Sequence, residues 1–355
     1  MAIQKITVKE FLQLSATNPV LDVRSPGEFT HAHIPGAFSL PLFTDEERKI
    51  VGTSYKQQSR ETAIKTGLDF FGPNMRKMVE AAEALISAAT EKKTGANKTI
   101  LIHCWRGGMR SAAVAWLLDL YGFKIYTLTG GYKAYRHWVR ESFEIPAYFN
   151  IVGGYTGSGK TLLIHELKKT GHSVVDLEAL ANHKGSAFGA IDLPQPNQEM
   201  FENLLAKELS IQPAAAKIWM EDESNRIGNL NIPVSLWKQM RSSPVYFLEI
   251  AFEKRLEYLV AEYGSIKKEQ LVNSIIRIQK RLGGLDTKNA INFLLEDDLA
   301  SCFRILLRYY DKCYGKALQN RENLSGLLNK IPCESVDTMI NLQNLLHATI
   351  LEKTV

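Results

Sequence analysis

The chain lacks any apolar run long enough to span a bilayer. Its first ten residues also lack the charged, apolar and small-residue regions of a secretory leader. The expectation is a cytoplasmic protein with no membrane partner. Cysteine is scarce: the four present, Cys104, Cys302, Cys313 and Cys333, fall at spacings that suit neither a zinc site nor a disulfide framework. That usage fits a reducing compartment and one working thiol. The absence of low-complexity tracts and fixed-period repeats excludes solenoids and propellers. Charge of one sign is not in large excess either. A net charge of +5 permits a polyanionic partner without demanding one. What is present is an ordinary globular composition, 45% hydrophobic and 23% charged, in 355 residues, a length that accommodates two cores.

The most informative stretch runs Ile100-Leu101-Ile102-His103-Cys104-Trp105-Arg106-Gly107-Gly108-Met109-Arg110-Ser111. It reads as a buried strand, a tight loop, and a helix opening near Arg110. Cys104 then sits among inward-pointing backbone N–H groups beside a helix N-terminus, which favours an anion. Arg106 and Arg110 add positive charge. A free thiol, with a pKa of ~8.5, is only a few per cent thiolate at neutral pH, and this setting is expected to lower it. Cys104 is therefore the candidate nucleophile, with Trp105, Arg106, Gly107, Gly108, Met109, Arg110 and Ser111 as its oxyanion loop. Residues 103–111 also satisfy H-C-x-x-G-x-x-R-[ST], a cysteine phosphatase signature. The short motif does not separate a phosphatase from a chalcogen carrier, since both wrap a thiolate in N–H donors and an arginine. His31 and His33, in a turn, are read as structural.

A second loop follows the strand Tyr148 to Val152. Gly154 to Thr161 matches G-x-x-x-x-G-K-[ST] between a strand and a helix, the context of a P-loop. Gly154, Thr156, Gly157, Ser158 and Gly159 are expected to turn N–H groups toward a diphosphate, with Lys160 as point charge and Thr161 as a Mg²⁺ ligand. Three further strands are expected at Ser173–Glu178, Lys217–Asp222 and Pro244–Glu249. Asp176, Glu221, Asp222, Glu223 and Arg226 are the acidic and supporting candidates, and Asp222 is paired with Thr161 as the expected Mg²⁺ site. No tightly bound cofactor is expected.

Strands alternate with helices throughout, so the fold class is α/β. The boundaries expected are a first domain over 1–145, with a helical insertion near 43–75, and a P-loop domain over 146–355, mainly helical from about 252. The insertion either helps close the first site or is a solvated excursion. The basic, tyrosine-rich helices, carrying Arg277, Lys280, Arg281, Arg308, Tyr309, Tyr310, Lys312, Tyr314 and Lys316, either present an RNA-binding face or pack their tyrosines inward.

The first half resembles the rhodanese domain, through Asp22-Val23-Arg24, Glu28-Phe29, His33-Ile34-Pro35-Gly36-Ala37, the cysteine loop, Leu128-Thr129-Gly130-Gly131 and Trp138. With the P-loop it resembles the tRNA 2-selenouridine synthase family. Further matches are Glu47-Arg48, Val51-Gly52-Thr53, Tyr55-Lys56, Asp176-Leu177-Glu178 and His183-Lys184-Gly185-Ser186 with Phe188-Gly189. Glu221-Asp222-Glu223-Ser224, Arg226-Ile227-Gly228, Arg281-Leu282-Gly283-Gly284 and Tyr309-Tyr310-Asp311 complete them. The resemblance implies a rhodanese-like domain followed by a P-loop NTPase-like parallel α/β domain. It implies action on the 2-thiouridine at wobble position 34, in the anticodon of tRNAs for Lys, Glu and Gln. The co-substrates implied are geranyl diphosphate and selenophosphate, the latter supplied by its own synthase, with Cys104 carrying selenium.

Overall fold

The computed structural model describes residues 3–90, 98–183 and 194–351. The motif stretch 184–189 lies outside them. The chain divides into two compact units: Met1–Ser142 with Glu202–Leu204, and Phe143–Phe201 with Leu205–Val355.

The first unit runs β1 (Gln4–Ile6), α1 (Val8–Ser15), β2 (Val20–Asp22), α2 (Pro26–His31), β3 (Phe38–Ser39), α3 (Asp45–Gln57) and α4 (Arg60–Thr90). It continues through β4 (Thr99–His103), α5 (Met109–Tyr121), β5 (Lys124–Leu128) and α6 (Gly131–Ser142). Its five strands form a parallel sheet in the order β1-β5-β4-β2-β3. The central strand β4 is buried at all five positions, which is why it reads as an unbroken apolar run. The insertion contains two different helices. α3 buries no side chain and is held by a Thr44–Glu47 capping box. α4 is a core helix: Phe71, Met78, Ala82 and Ile86 recur at helical spacing and pack with Ile100, Ile102, Val114 and Leu118. The solvated-excursion reading thus describes α3 but not α4.

The second unit contains β6 (Tyr148–Gly154), α7 (Lys160–Lys169), α8 (Leu177–Leu180), α9 (Gln198–Ser210), β7 (Lys217–Glu221), β8 (Arg226–Ile227), β9 (Leu230–Asn231), α10 (Val234–Arg241) and β10 (Val245–Ile250). Then come α11 (Phe252–Tyr263), α12 (Lys268–Leu282), α13 (Gly284–Leu295), α14 (Leu299–Gln319), α15 (Leu324–Leu327), β11 (Leu328–Cys333) and α16 (Thr338–Leu351). Its main sheet is parallel, in the order β11-β10-β6-β7, and β8 with β9 makes a small hairpin.

One sequence expectation is corrected here. Ser173–Glu178 is not a strand. Val174 makes a single parallel bridge to Trp219, and Asp176 then accepts the Ala179 N–H and starts α8. An Asp that caps a helix ends an extended run. The region after Phe252 is mainly helical, as expected. Helices α11–α14 share their own apolar core, built on Leu259, Ile275, Leu294 and Phe303. Beyond them, β11 returns to the sheet edge beside β10, burying Ile331 and Cys333.

Candidate functional site

The first candidate site stands at the C-terminal end of β4, where the strand turns into the loop before α5. Only glycine fits two places in this turn. Gly107 has φ +64°, and a Cβ there would lie 2.5 Å from the Leu128 carbonyl oxygen. Gly131 has φ +59°, and its Cβ would meet the Cys104 carbonyl oxygen at 2.3 Å. The loop is thus pressed against the start of α6, where the Tyr132 and Lys133 N–H groups donate to the carbonyls of Cys104 (2.8 Å) and Trp105 (2.9 Å).

This packing shapes the space around the sulfur. Cys104 is 3% exposed, and its Sγ donates to Ser111 Oγ at 3.2 Å. Burial is the largest single influence on the thiol and pushes its pKa up. The Ser111 hydroxyl and the N–H groups of Ser111, Gly108 and Arg106 pull it down and together prevail. The depression was expected from the loop N–H groups, the helix end and two arginine charges; the N–H groups and the Ser111 hydroxyl produce it. Arg106 is exposed, and Arg110 turns to Glu28, donating from Nη1 to Oε2 at 2.7 Å. Trp105 and Met109 rim the loop, 37% and 48% exposed.

By contrast, Cys302 is pushed up to about 12 and Cys333 to about 11 by burial. Iodoacetamide at neutral pH should therefore alkylate Cys104 and spare Cys302 and Cys333 in the folded protein. Ser111→Ala removes a donor to the thiolate, so its pH–rate curve for Cys104 alkylation moves to higher pH. An unmoved curve in peptide-mapped mass spectrometry would refute the cradle as the cause.

Beneath the loop, Arg24 donates to Asp22 (Nη2–Oδ2 2.5 Å) and to the Ala32 carbonyl (2.7 Å), and its guanidinium lies 3.8 Å from the Tyr132 ring centre. This buried pair assigns Asp22-Val23-Arg24 to holding the sheet end and the α2 turn together. His103 is fully buried beside it. Burial pushes its pKa down, so the ring stays neutral and is no acid–base candidate. His33 bonds the Phe29 carbonyl and stacks on the Phe29 ring, in keeping with a structural role.

The second candidate site is the loop between β6 and α7. Gly154, Gly157 and Gly159 all take positive φ, which turns the loop around its own N–H groups. Lys160 Nζ reaches back across the loop to the Gly154 carbonyl at 2.9 Å. Thr161 Oγ1 donates to Glu178 Oε2 at 3.0 Å. Carboxylate oxygens of Glu178, Glu221 and Glu223 converge within 4.8 Å of one another. Glu221 is 1% exposed, and its Oε1 has no hydrogen-bond partner among the described residues. Burial first, then the Glu178 charge, pushes Glu221 up to about 8, with Lys160 partly opposing, and Glu223 is pushed well up for the same reasons. Three carboxylates this close do not all ionise without a cation. The set offers only hard oxygen donors beside a P-loop hydroxyl, and it fits Mg²⁺.

The comparisons with known proteins agree with this pairing of sites. A rhodanese-like domain model matches residues 7–137, and a model described as the tRNA 2-selenouridine synthase AAA domain matches residues 147–331. The tRNA 2-selenouridine synthase of Bdellovibrio bacteriovorus is 34% identical, over 90% of this chain and 94% of its own length. That of Sulfurovum sp. is 36% identical, over 91% and 94%. The chain belongs to the tRNA 2-selenouridine synthase family. A third relative of the same name, from Cupriavidus pinatubonensis, is 40% identical over 71% of this chain and 67% of its own.

Within this synthase-family frame, the acidic candidates divide. Asp222 does not join Thr161. Its Oδ2 accepts the Tyr314 hydroxyl at 2.7 Å and its Oδ1 accepts Arg321 Nη2 at 2.6 Å. Both oxygens are taken, and the carboxylate that Thr161 meets is Glu178, not Asp222. Asp176 caps α8 and bonds His165 Nε2 at 2.9 Å, and Arg226 bonds the Gly228 carbonyl in its own hairpin.

Sequence reading missed the residues of α11 and α14 that grip the P-loop. Tyr314 accepts the Gly154 N–H at 3.2 Å. Arg255 donates to the Thr156 carbonyl at 3.0 Å and pairs with both oxygens of Asp311 at 2.8 Å. The inward-packing alternative therefore describes Tyr314, and Tyr309 and Tyr310 are partly buried against the helical core. The signals in the sequence are Tyr309-Tyr310-Asp311, a family match, and Tyr314 in the tyrosine-rich helix; neither points to the P-loop. Among the described residues no helix is long and apolar enough to cross a membrane.

Proposed function

We propose that this chain converts 2-thiouridine at wobble position 34 of tRNA(Lys), tRNA(Glu) and tRNA(Gln) to 2-selenouridine in two steps. In the first, the thiouridine sulfur attacks the geranyl carbon of geranyl diphosphate. A C–S bond forms, the C–O bond breaks, and the diphosphate leaves into the P-loop. The N–H groups of 154–161 and Lys160 receive its charge. Mg²⁺ held by Thr161, Glu178 and Glu221 would offset more of that charge.

In the second step, the Cys104 thiolate attacks the selenium of selenophosphate: the S–Se bond forms, the Se–P bond breaks, and phosphite leaves with that electron pair, so Cys104 carries a selanyl group that it presents to C2 of the geranylated base. The C2–Se bond forms as geranylthiolate leaves; one external thiol then attacks the Cys104 sulfur and frees 2-selenouridine, and a second reduces the resulting mixed disulfide, restoring Cys104 as an external disulfide departs. Arg106, Arg110, Ser111 and the loop N–H groups bind the selenophosphate oxyanion. The observation that carries this reading is the Cys104 cradle: a buried sulfur ringed by a hydroxyl and three N–H donors. Purified protein and 2-thiolated tRNA are to be incubated with geranyl diphosphate, selenophosphate, or both, and the nucleosides read by mass spectrometry. Geranyl diphosphate alone yields S-geranyl-2-thiouridine, and both together yield 2-selenouridine. No modified nucleoside in any arm would leave only a sulfur-relay role, and turnover of an aryl phosphate that depends on Cys104 would favour the phosphatase.

A further inference from the structure

We propose that Arg48, from the insertion helix α3, is a second oxyanion-binding arginine of the Cys104 site, acting beside Arg110 on the phosphate group of selenophosphate. The proposal rests on the reading that the Cys104 loop binds a tetrahedral oxyanion. Sequence analysis marked Glu47-Arg48 only as a family match, and nothing in the motif around Cys104 points to it.

The first turn of α3 is fixed against the first turn of α2. Both Asp45 carboxylate oxygens accept the Gly27 N–H at 3.0 Å. The Glu47 carboxylate is turned back to the Thr44 N–H at 2.9 Å, so it does not neutralise its neighbour Arg48. Arg48 instead reaches Glu28, with Nε 3.0 Å from Oε2. Arg110, in the first turn of α5, reaches the same oxygen at 2.7 Å. Two guanidinium groups from two elements therefore meet on one carboxylate oxygen. That oxygen also accepts the Ser25 N–H at 3.1 Å.

Charge decides what this cluster does. Glu28 is held down at about 2: burial pushes it up, but Arg110, the Ser25 N–H and Arg48 prevail. It carries one negative charge at every physiological pH, against two permanent positive charges. The cluster keeps a net charge of +1 in a partly exposed place, with side chains of Glu28, Arg110 and Arg48 15%, 24% and 50% exposed. Two like charges held this close repel, and a second anion relieves the repulsion. Guanidinium forks suit the oxygens of a phosphate group. Arg48 Nη1 has no partner among the described residues, and Glu28 sets the angle of both forks. Pinning α3 does not require Arg48, because Asp45 already does so.

The test follows Cys104 alkylation by iodoacetamide, a neutral reagent, in the full-length protein with increasing inorganic phosphate. Phosphate slows alkylation of the wild type. Arg48→Ala raises the half-protecting phosphate concentration on the order of tenfold or more, the loss of a charge-assisted contact. Arg48→Lys recovers part of that loss. Asp45→Ala, which loosens the helix pin but leaves Arg48 in place, protects at least as well as wild type. In turnover, Arg48→Ala raises the KM for selenophosphate and leaves geranylation unchanged. Equal protection in Arg48→Ala and wild type overturns the inference, as does loss of protection in Asp45→Ala to the same degree. Absence of protection in the wild type overturns the oxyanion reading of the loop itself.

Discussion

Cys104→Ala is expected to abolish 2-selenouridine formation, by on the order of 10³-fold or more, while S-geranyl-2-thiouridine accumulates. The accumulation makes the result diagnostic. Cys104 lies at the end of β4 in the first unit, and the P-loop lies between β6 and α7 in the second. The two sites share no residue, so the geranyl step retains its machinery when the carrier sulfur is removed. A misfolded variant would lose both products. Cys104 is part of the first core cluster, but truncating a cysteine to alanine removes one sulfur atom and leaves the loop's hydrogen bonds from Tyr132 and Lys133 in place. Mass spectrometry of tRNA from both reactions checks it. Normal 2-selenouridine from Cys104→Ala would end the carrier role.

Lys160→Ala is expected to cut geranylation by roughly 10²- to 10³-fold, the effect of removing one preorganised donor from a developing charge. Lys160 already sits across the loop, on the Gly154 carbonyl, so a diphosphate has only to displace that one contact to gain a full positive charge. Selenation of tRNA geranylated beforehand is expected to proceed at close to the normal rate. This pattern is the mirror of Cys104→Ala. If Lys160→Ala transferred geranyl normally, the diphosphate would have to leave elsewhere.

The two loops were readable because each is contiguous. An apolar strand, a glycine-rich turn and a helix start occupy adjacent residues, so the elements β4–α5 and β6–α7 and the N–H groups between them follow from local sequence. The misreadings have the opposite character. Val174 and Val175 favour a strand, but Asp176 two residues on caps a helix, and local propensity gave way to the cap. Leu328–Cys333, to which no element was assigned, is a strand because β10 offers it an edge, a fact that no window of a few residues contains. Asp222 sits between two glutamates that face the P-loop, yet alternate positions past a strand end point to opposite sides, and Arg321 and Tyr314 claim it.

The amino-acid order alone determined that this protein has two glycine-rich strand-to-helix turns, one carrying a sulfur and one carrying a lysine and a threonine, because such turns are built from neighbours in the chain. Folding alone decided which charges serve them. Glu28 reaches Arg110 across 82 positions and Tyr314 reaches Gly154 across 160. Side-chain pairing acts through space, and its partners become visible only when sheet and helices bring distant residues to the same few ångströms.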